Sequence, residues 1–319
     1  MSMNERFRRP ISGMSSRRRP RRGSWQVYWP TIKDRAYQYA LLMRWHRPIG
    51  ALLLLWPMMW AIWVAGAGHP DPRVVAIFIA GVWVMRSAGC VLNDLADRNF
   101  DPHVERTRDR PLAAGRVRPK EALAVAGVML LIALGLVLMT NWLTFWLSFG
   151  AVGLAVLYPL MKRYTYFPQV FLGAAFGWAI PMGYAAQANA LPPIAWLIFL
   201  SSIVWALIYD TQYAMVDRED DLKIGVKSTA ILFGELDRHI LGILQIVMMA
   251  TLVLIGLQAH LGLWYYLSLV MASLLFGYQQ VLTFERDRQK CFAAFMNNNW
   301  FGAIVFAGIV LDYWFMGRS

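Results

Sequence analysis

Long apolar stretches alternate with short polar segments along nearly the whole chain. They run roughly over 48–66, 74–92, 122–140, 142–161, 170–186, 194–209, 240–258, 263–281 and 295–315. A bilayer core takes about 20 residues of helix, and each stretch approaches or meets that length. A helix on the surface of a soluble protein keeps a polar face with a period near 3.6 residues. These segments have no such face. The pattern therefore predicts an all-α, polytopic membrane protein of about nine transmembrane helices. Composition agrees, with 58% hydrophobic and 14% aromatic residues among 319, outside the range of soluble domains.

Charge then orients the spans. Of 31 Lys and Arg, 28 lie before the first span or in the loops after the second, fourth, sixth and eighth. The opposite loops and the C-terminus hold only Arg73 and Arg318, and Arg86 lies inside the second span. The positive-inside rule places the N-terminus and those four loops in the cytoplasm. The formal charge of +12 is thus a topology signal, with the lipid bilayer as partner and nucleic acid excluded. Residues 1–30, with eight Arg between Arg6 and Arg22, read as a disordered polybasic tail suited to anionic headgroups. Residues 31–319 read as one membrane-embedded domain. Cys90 and Cys291 fall at cytoplasmic ends of spans, where a disulfide is not expected. The five His residues show no zinc-ligand spacing.

Candidate chemistry lies at two span ends. One cluster reads Asn93-Asp94-Leu-Ala-Asp97-Arg98-Asn-Phe-Asp101, the other Tyr209-Asp210-Thr-Gln-Tyr213-Ala-Met-Val-Asp217-Arg218-Glu219-Asp220-Asp221, and together they hold 8 of the 19 acidic residues. Helical spacing puts Asn93, Asp97 and Asp101 on one face with Asp94 at its edge, and aligns Asp210, Asp217 and Asp221 likewise. Pro102 is expected to end the second span at Asp101. Carboxylates about 4 Å apart repel by about 4 kcal/mol at an effective dielectric near 20. A hard cation such as Mg²⁺, which binds a few carboxylates together with substrate phosphates, would balance them. Both clusters lie on the cytoplasmic side, where helices end and irregular backbone can line a cavity.

Cations flank the acids. Arg98 lies inside the first cluster, Arg106 and Arg110 follow it, and Lys223 and Lys227 follow the second. Such mixed acid–base loops suit a diphosphate held through metal and neutralised by Lys and Arg. Arg86 lies two helical turns deeper than Asn93, where a charge normally has a partner or a function. It could pair with a cluster carboxylate or bind a substrate. Arg163, closing the fourth span, could hold a carboxylate substrate, pair with an aspartate of the second cluster, or both in turn.

These motifs resemble those of the UbiA-type membrane prenyltransferases. Asn93-Asp94-x-x-Asp97-x-x-x-Asp101 matches the first signature of that family at every fixed position, and Asp217-x-x-x-Asp221 the second. Arg44-Trp-His-Arg-Pro-Ile-Gly50, Met161-Lys-Arg163, the Tyr209–Asp221 run and Lys227-Ser-Thr-Ala-Ile-Leu-Phe-Gly234 resemble its 4-hydroxybenzoate polyprenyltransferase branch, in ubiquinone biosynthesis. The resemblance implies a helical bundle around a central cavity that opens to the cytoplasm, in a bacterial or mitochondrial inner membrane. It implies Mg²⁺ on Asn93, Asp94, Asp97, Asp101, Asp217 and Asp221, with the last two and Asp97 and Asp101 catalytic. Polyprenyl diphosphate would meet Arg98, Arg106, Arg110, Lys223 and Lys227. The aromatic acid would meet Arg163, Arg86, Asp210 and Tyr213. The alternatives are another acceptor (a naphthoate, homogentisate, haem or a chlorin) or a cation-coupled transporter. A transporter would carry its ionisable groups nearer the bilayer midplane.

Overall fold

The computed structural model describes residues 24–99, 101, 107–225 and 227–316. The chain divides into two compact units, Met1–Tyr37 and Gln38–Ser319, and the candidate site lies in the second. Helix α1 (Ser24–Leu42) opens inside the segment expected to be a tail. Then follow α2 (Ile49–Ala65), α3 (Pro72–Ala96), α4 (Pro119–Leu138), α5 (Trp142–Tyr164), α6 (Pro168–Gly177), α7 (Ala179–Ala188) and α8 (Pro193–Ile224). The short α9 (Thr229–Phe233) leads to α10 (Asp237–Gln258), α11 (Leu263–Leu282) and α12 (Arg288–Met316). Among the described residues there is no strand.

Each of the nine expected spans coincides with a helix or, in the fifth, with a broken pair. The break between α6 and α7 follows from Pro181, which has no N–H to give the carbonyl of Gly177 four residues back. Chemistry at the ends starts and stops the helices. Asp71 caps α3 by accepting from the Arg73 backbone N–H at 2.8 Å, with Pro72 in the first turn. Asn141 caps α5 by accepting from the Thr144 N–H at 2.9 Å. Gly225, at φ +71°, ends α8 in the left-handed conformation that glycine adopts without strain.

The apolar part of the sixth span ends near Tyr209, and α8 continues fifteen residues further through the second acidic cluster, in agreement with its helical spacing. One helix differs from the sequence expectation. The second span was expected to reach Asp101, yet α3 ends at Ala96 with Asp97 as its C-cap. The chain still closes one further turn, since the Asp101 N–H bonds the Asp97 carbonyl at 2.9 Å. Asp101 thus keeps its place one turn beyond Asp97 without a continuous helix.

Helix α2 is the hub, packing against α3, α7, α8 and α12. Trp60 on α2 stacks on Trp205 of α8 with ring centroids 5.6 Å apart, and Phe301 of α12 packs on the other side of Trp205 at 5.6 Å. Faces turned away from the hub stay apolar. Leu131 and Leu138 of α4, Ile243 and Ile246 of α10, and Leu274 of α11 are exposed. Apolar surface of this kind is met by lipid tails in a membrane protein. The chain is a multi-pass membrane protein.

Candidate active site

The first cluster is held by arginines. Asp94 is only 2% exposed and receives Arg44 Nη2 at 2.6 Å and Arg110 Nη1 at 3.1 Å. The same Arg110 nitrogen reaches Asp101 Oδ2 at 2.8 Å, so one guanidinium bridges two carboxylates. Thr107 Oγ1 donates to the Asp101 carbonyl at 2.8 Å, and Asn93 Nδ2 donates to Asp97 Oδ2 at 3.1 Å. Burial pushes the Asp101 carboxyl above the usual carboxylate range. Arg110 opposes that shift, while the charges of Asp94 and Asp97 add to it. Arg44 adopts φ +58°, a left-handed backbone that costs about 1–3 kcal/mol in a residue with a side chain. That conformation closes the turn after α1 and lays the guanidinium on Asp94.

The donor set fits a hard divalent cation: three carboxylates and a carboxamide oxygen within nine residues. Among the described residues, however, no three His, Cys, Asp or Glu side chains already meet as metal ligands. Arg44 and Arg110 stand where sequence alone suggested a cation bound directly by the acids. Arg44 was quoted in the sequence only as part of a motif, and its ionic role needed the fold to bring it 50 residues along the chain to Asp94.

The structure sorts the second cluster by helical face. Asp210, Asp217 and Asp221 share one side of α8 with Tyr213, whose ring lies 4.9 Å from Phe295. Glu219 and Asp220 are occupied elsewhere, by Arg288 of α12 at 2.8 Å and 3.5 Å. Arg218 reaches Asp237 at 3.6 Å. Asp237 is fully buried and also grips Arg286, whose Nε lies 3.1 and 3.0 Å from its two oxygens. The C-terminal part of α8 is therefore tied from outside by Arg288 on its acids and by Asp237 on Arg218, with Arg286 holding Asp237 in place. No signal in the sequence marked Asp237 or Arg286.

The remaining predicted cations separate. Lys223 is exposed and pairs with Asp220 at 3.4 Å, away from the shared acidic face. Lys227 reaches the Tyr164 carbonyl at 3.5 Å and the Tyr166 ring at 5.1 Å, which ties the second cluster's loop to the corner between α5 and α6. Thr211 of α8 and Thr229 of α9 join their helices at 2.6 Å. Arg98 is exposed. Arg106 lies outside the described residues, as does the side chain of Arg163.

Arg86 has no carboxylate partner among the described residues. Its guanidinium donates to Cys90 Sγ one turn along α3 and lies 5.9 Å from the Phe176 ring centroid. It rests against Gly50, where a Cβ would sit 2.4 Å from two of its nitrogens. A side chain there would have to displace the guanidinium. Phe176 also lines a narrow apolar pocket with Leu53, Leu54, Pro57, Trp205 and Tyr209.

Comparison with known proteins agrees with this layout. Residues 54–302 match the model of the UbiA prenyltransferase family. The 4-hydroxybenzoate octaprenyltransferase of Alkalilimnicola ehrlichii is 61% identical over 88% of this chain and 96% of its own. That of Methylococcus capsulatus is 58% identical over 90% and 98%. Among solved structures, the apo form of a UbiA homolog from Aeropyrum pernix K1 superposes with a TM-score of 0.72 at 23% identity, covering 81% of this chain and 97% of that one. A UbiA homolog from Archaeoglobus fulgidus bound to GPP and Mg²⁺ superposes with a TM-score of 0.63 at 20% identity, covering 85% and 99%.

Proposed function

The chain belongs to the UbiA prenyltransferase family, and from that premise we propose that it transfers a polyprenyl group from polyprenyl diphosphate to 4-hydroxybenzoate, releasing diphosphate, in ubiquinone biosynthesis. The donor carries eight isoprene units in the named relatives. The observation that carries the reading is the first carboxylate cluster bound by Arg44 and Arg110, with Arg86 outside any carboxylate pair among the described residues.

Asn93, Asp94, Asp97, Asp101, Asp217 and Asp221 would hold Mg²⁺, which would supply charge for the diphosphate. Arg110 lies between Asp94 and Asp101 and neutralises diphosphate oxygens as their negative charge grows, with Arg98, Arg106 and Lys227 around it. Lys223, held by Asp220, contributes at longer range. Arg86 holds the carboxylate of the aromatic acid, and Arg163 is the second candidate for that role. Tyr213 and Asp210 face the acceptor from α8. The allylic C–O bond breaks and its electron pair leaves with diphosphate. The new C–C bond forms at the ring carbon ortho to the hydroxyl, and loss of the ring proton restores aromaticity. The apolar walls around Phe176, Trp205 and Tyr209 keep water from the allylic cation.

The location is a bacterial inner membrane, with the acidic clusters on the cytoplasmic side. The reading is tested in membranes containing the protein, supplied with 4-hydroxybenzoate, octaprenyl diphosphate and Mg²⁺. A naphthoate and homogentisate serve as rival acceptors. Prenylated 4-hydroxybenzoate as the main product supports it, and preferential prenylation of a rival overturns the acceptor assignment.

A further inference from the structure

Three consecutive asparagines on α12 reach three different helices. Asn297 Oδ1 accepts from Gln279 Nε2 of α11 at 3.0 Å, and Asn299 Oδ1 accepts from Trp56 Nε1 of α2 at 3.0 Å. Between them, Asn298 is fully buried and binds α8 twice. Its Nδ2 donates to Gln212 Oε1 at 2.8 Å, and its Oδ1 accepts from Trp205 Nε1 at 3.0 Å. Steps of about 100° per residue spread the three side chains around α12. Gln212 Nε2 continues the chain of amides to Gln279 Oε1 at 2.9 Å, which also accepts from Gln245 Nε2 of α10 at 3.3 Å.

Side-chain amides that bond across membrane helices fix register, because a shifted helix would strand buried donors and acceptors in apolar surroundings. Trp205 and Gln212 lie two turns apart on one face of α8, so a single asparagine grips that face at two heights. Arg288 of α12 extends the same antiparallel contact by binding Glu219, two turns beyond Gln212. Asp210, Asp217 and Asp221 lie about 140–180° round α8 from Gln212. They share the side of Tyr213, which feels the charge of Arg44 from the first cluster. The back of α8 is thus bonded to α12 while its front carries the acids toward the first cluster.

We infer that Asn298 is a positioning residue for the second acidic cluster, an inference that rests on the reading of the two clusters as one metal–diphosphate site. It acts through Trp205 and Gln212 on the helix that carries Asp217 and Asp221. A change of register by one residue would move each of those acids about 1.5 Å along the axis and about 100° around it. Mg²⁺ demands near-octahedral oxygen ligands at about 2.1 Å and tolerates neither displacement.

The test follows binding of Mn²⁺, which shares the preference of Mg²⁺ for carboxylate oxygen. Electron paramagnetic resonance reads it on the purified full-length protein with inorganic diphosphate, beside thermal unfolding. Asn298→Leu and Gln212→Met break the tie from its two ends, and each should weaken Mn²⁺ binding about fivefold, the scale of one hydrogen bond. The double variant should weaken it no further than either single one. Asn298→Asp, whose carboxyl stays protonated in so buried a place, offers one acceptor and one donor and should recover most of the loss. Gln245→Met breaks the same network away from α8. It should lower the unfolding midpoint and leave Mn²⁺ binding unchanged. Wild-type affinity in either Asn298→Leu or Gln212→Met overturns the inference, as does an equal loss in Gln245→Met. A wild-type protein that binds no Mn²⁺, or whose binding survives Asp217→Ala, overturns the reading beneath it.

Discussion

Arg86 and Asp101 show how the environment of one residue decides its chemistry. Arg86 has a sulfur, an aromatic ring and a glycine around it and no acid among the described residues. Its charge is available to a carboxylate ligand. Arg86→Ala should raise the KM for 4-hydroxybenzoate at least tenfold while changing that for the prenyl diphosphate little. Arg163→Ala, measured beside it, should have the smaller selective effect, and the reverse order would move the carboxylate to the end of α5. Asp101 behaves differently because it is buried among other carboxylates. Its raised pKa means that it stays protonated to a higher pH than an ordinary aspartate. A proton on Asp101 excludes a metal ligand, so the proton and Mg²⁺ compete. The Mg²⁺ concentration for half-maximal activity should be lowest above the raised pKa and climb as pH falls through it. Asp101→Asn should flatten that profile, and an unchanged profile would remove Asp101 from the metal site. EDTA should abolish turnover, with Mg²⁺ restoring it. Asp97→Ala and Asp217→Ala should each reduce turnover by orders of magnitude.

Helix α8 is the element on which the second cluster depends. Its apolar part crosses the bundle, and its last three to four turns carry the acids beyond the apolar span. Like charges packed at a helix end repel unless counter-charges balance them. Arg288 on Glu219 and Asp220, and Lys223 on Asp220, supply them on the outer face, while Asp237, itself held by Arg286, anchors Arg218. The inner face is left to Asp210, Asp217 and Asp221. Arg286→Ala would leave the buried Asp237 carboxylate with the Arg238 backbone N–H at 2.7 Å and the longer ion pair to Arg218. A fully buried pair broken in this way loses about 3–5 kcal/mol. Arg286 is itself one-third exposed, so a loss of about 2 kcal/mol is expected. Thermal unfolding in detergent should show a lower midpoint, and Asp237→Asn should lower it too. Equal midpoints for wild type and both variants would show that the clamp adds nothing to stability.

For the molecule as a whole, span count and charge make one statement about topology. A cytoplasmic N-terminus followed by nine crossings leaves the C-terminus on the opposite side. A reporter fused after Ser319 should respond there. A cytoplasmic signal would reveal an even number of crossings, with the broken pair α6 and α7 as the first place to look, because each is only ten residues long. Deleting residues 1–22 should leave catalysis nearly intact, since the acidic clusters, Arg86 and the pocket all lie beyond Gln38.

The spans were legible in the chain because burial in lipid demands uninterrupted apolar helix, and that demand is local. The acidic motifs were legible for the same reason: their spacing lies within a few turns. What lay beyond the sequence was every relation between distant segments. Arg44 on Asp94 and Asp237 on Arg286 join residues about 50 apart. Nothing in the local pattern of either partner selects the other. The end of α3 was misjudged from sequence: Pro102 marked a stop that α3 reaches one turn earlier. The helical spacing of Asp210, Asp217 and Asp221 was legible, and α8 does run through them. Local propensity and apolar length determined which helices form. Only packing decided which side chains are paired, as Arg44 is with Asp94 and Arg286 with Asp237.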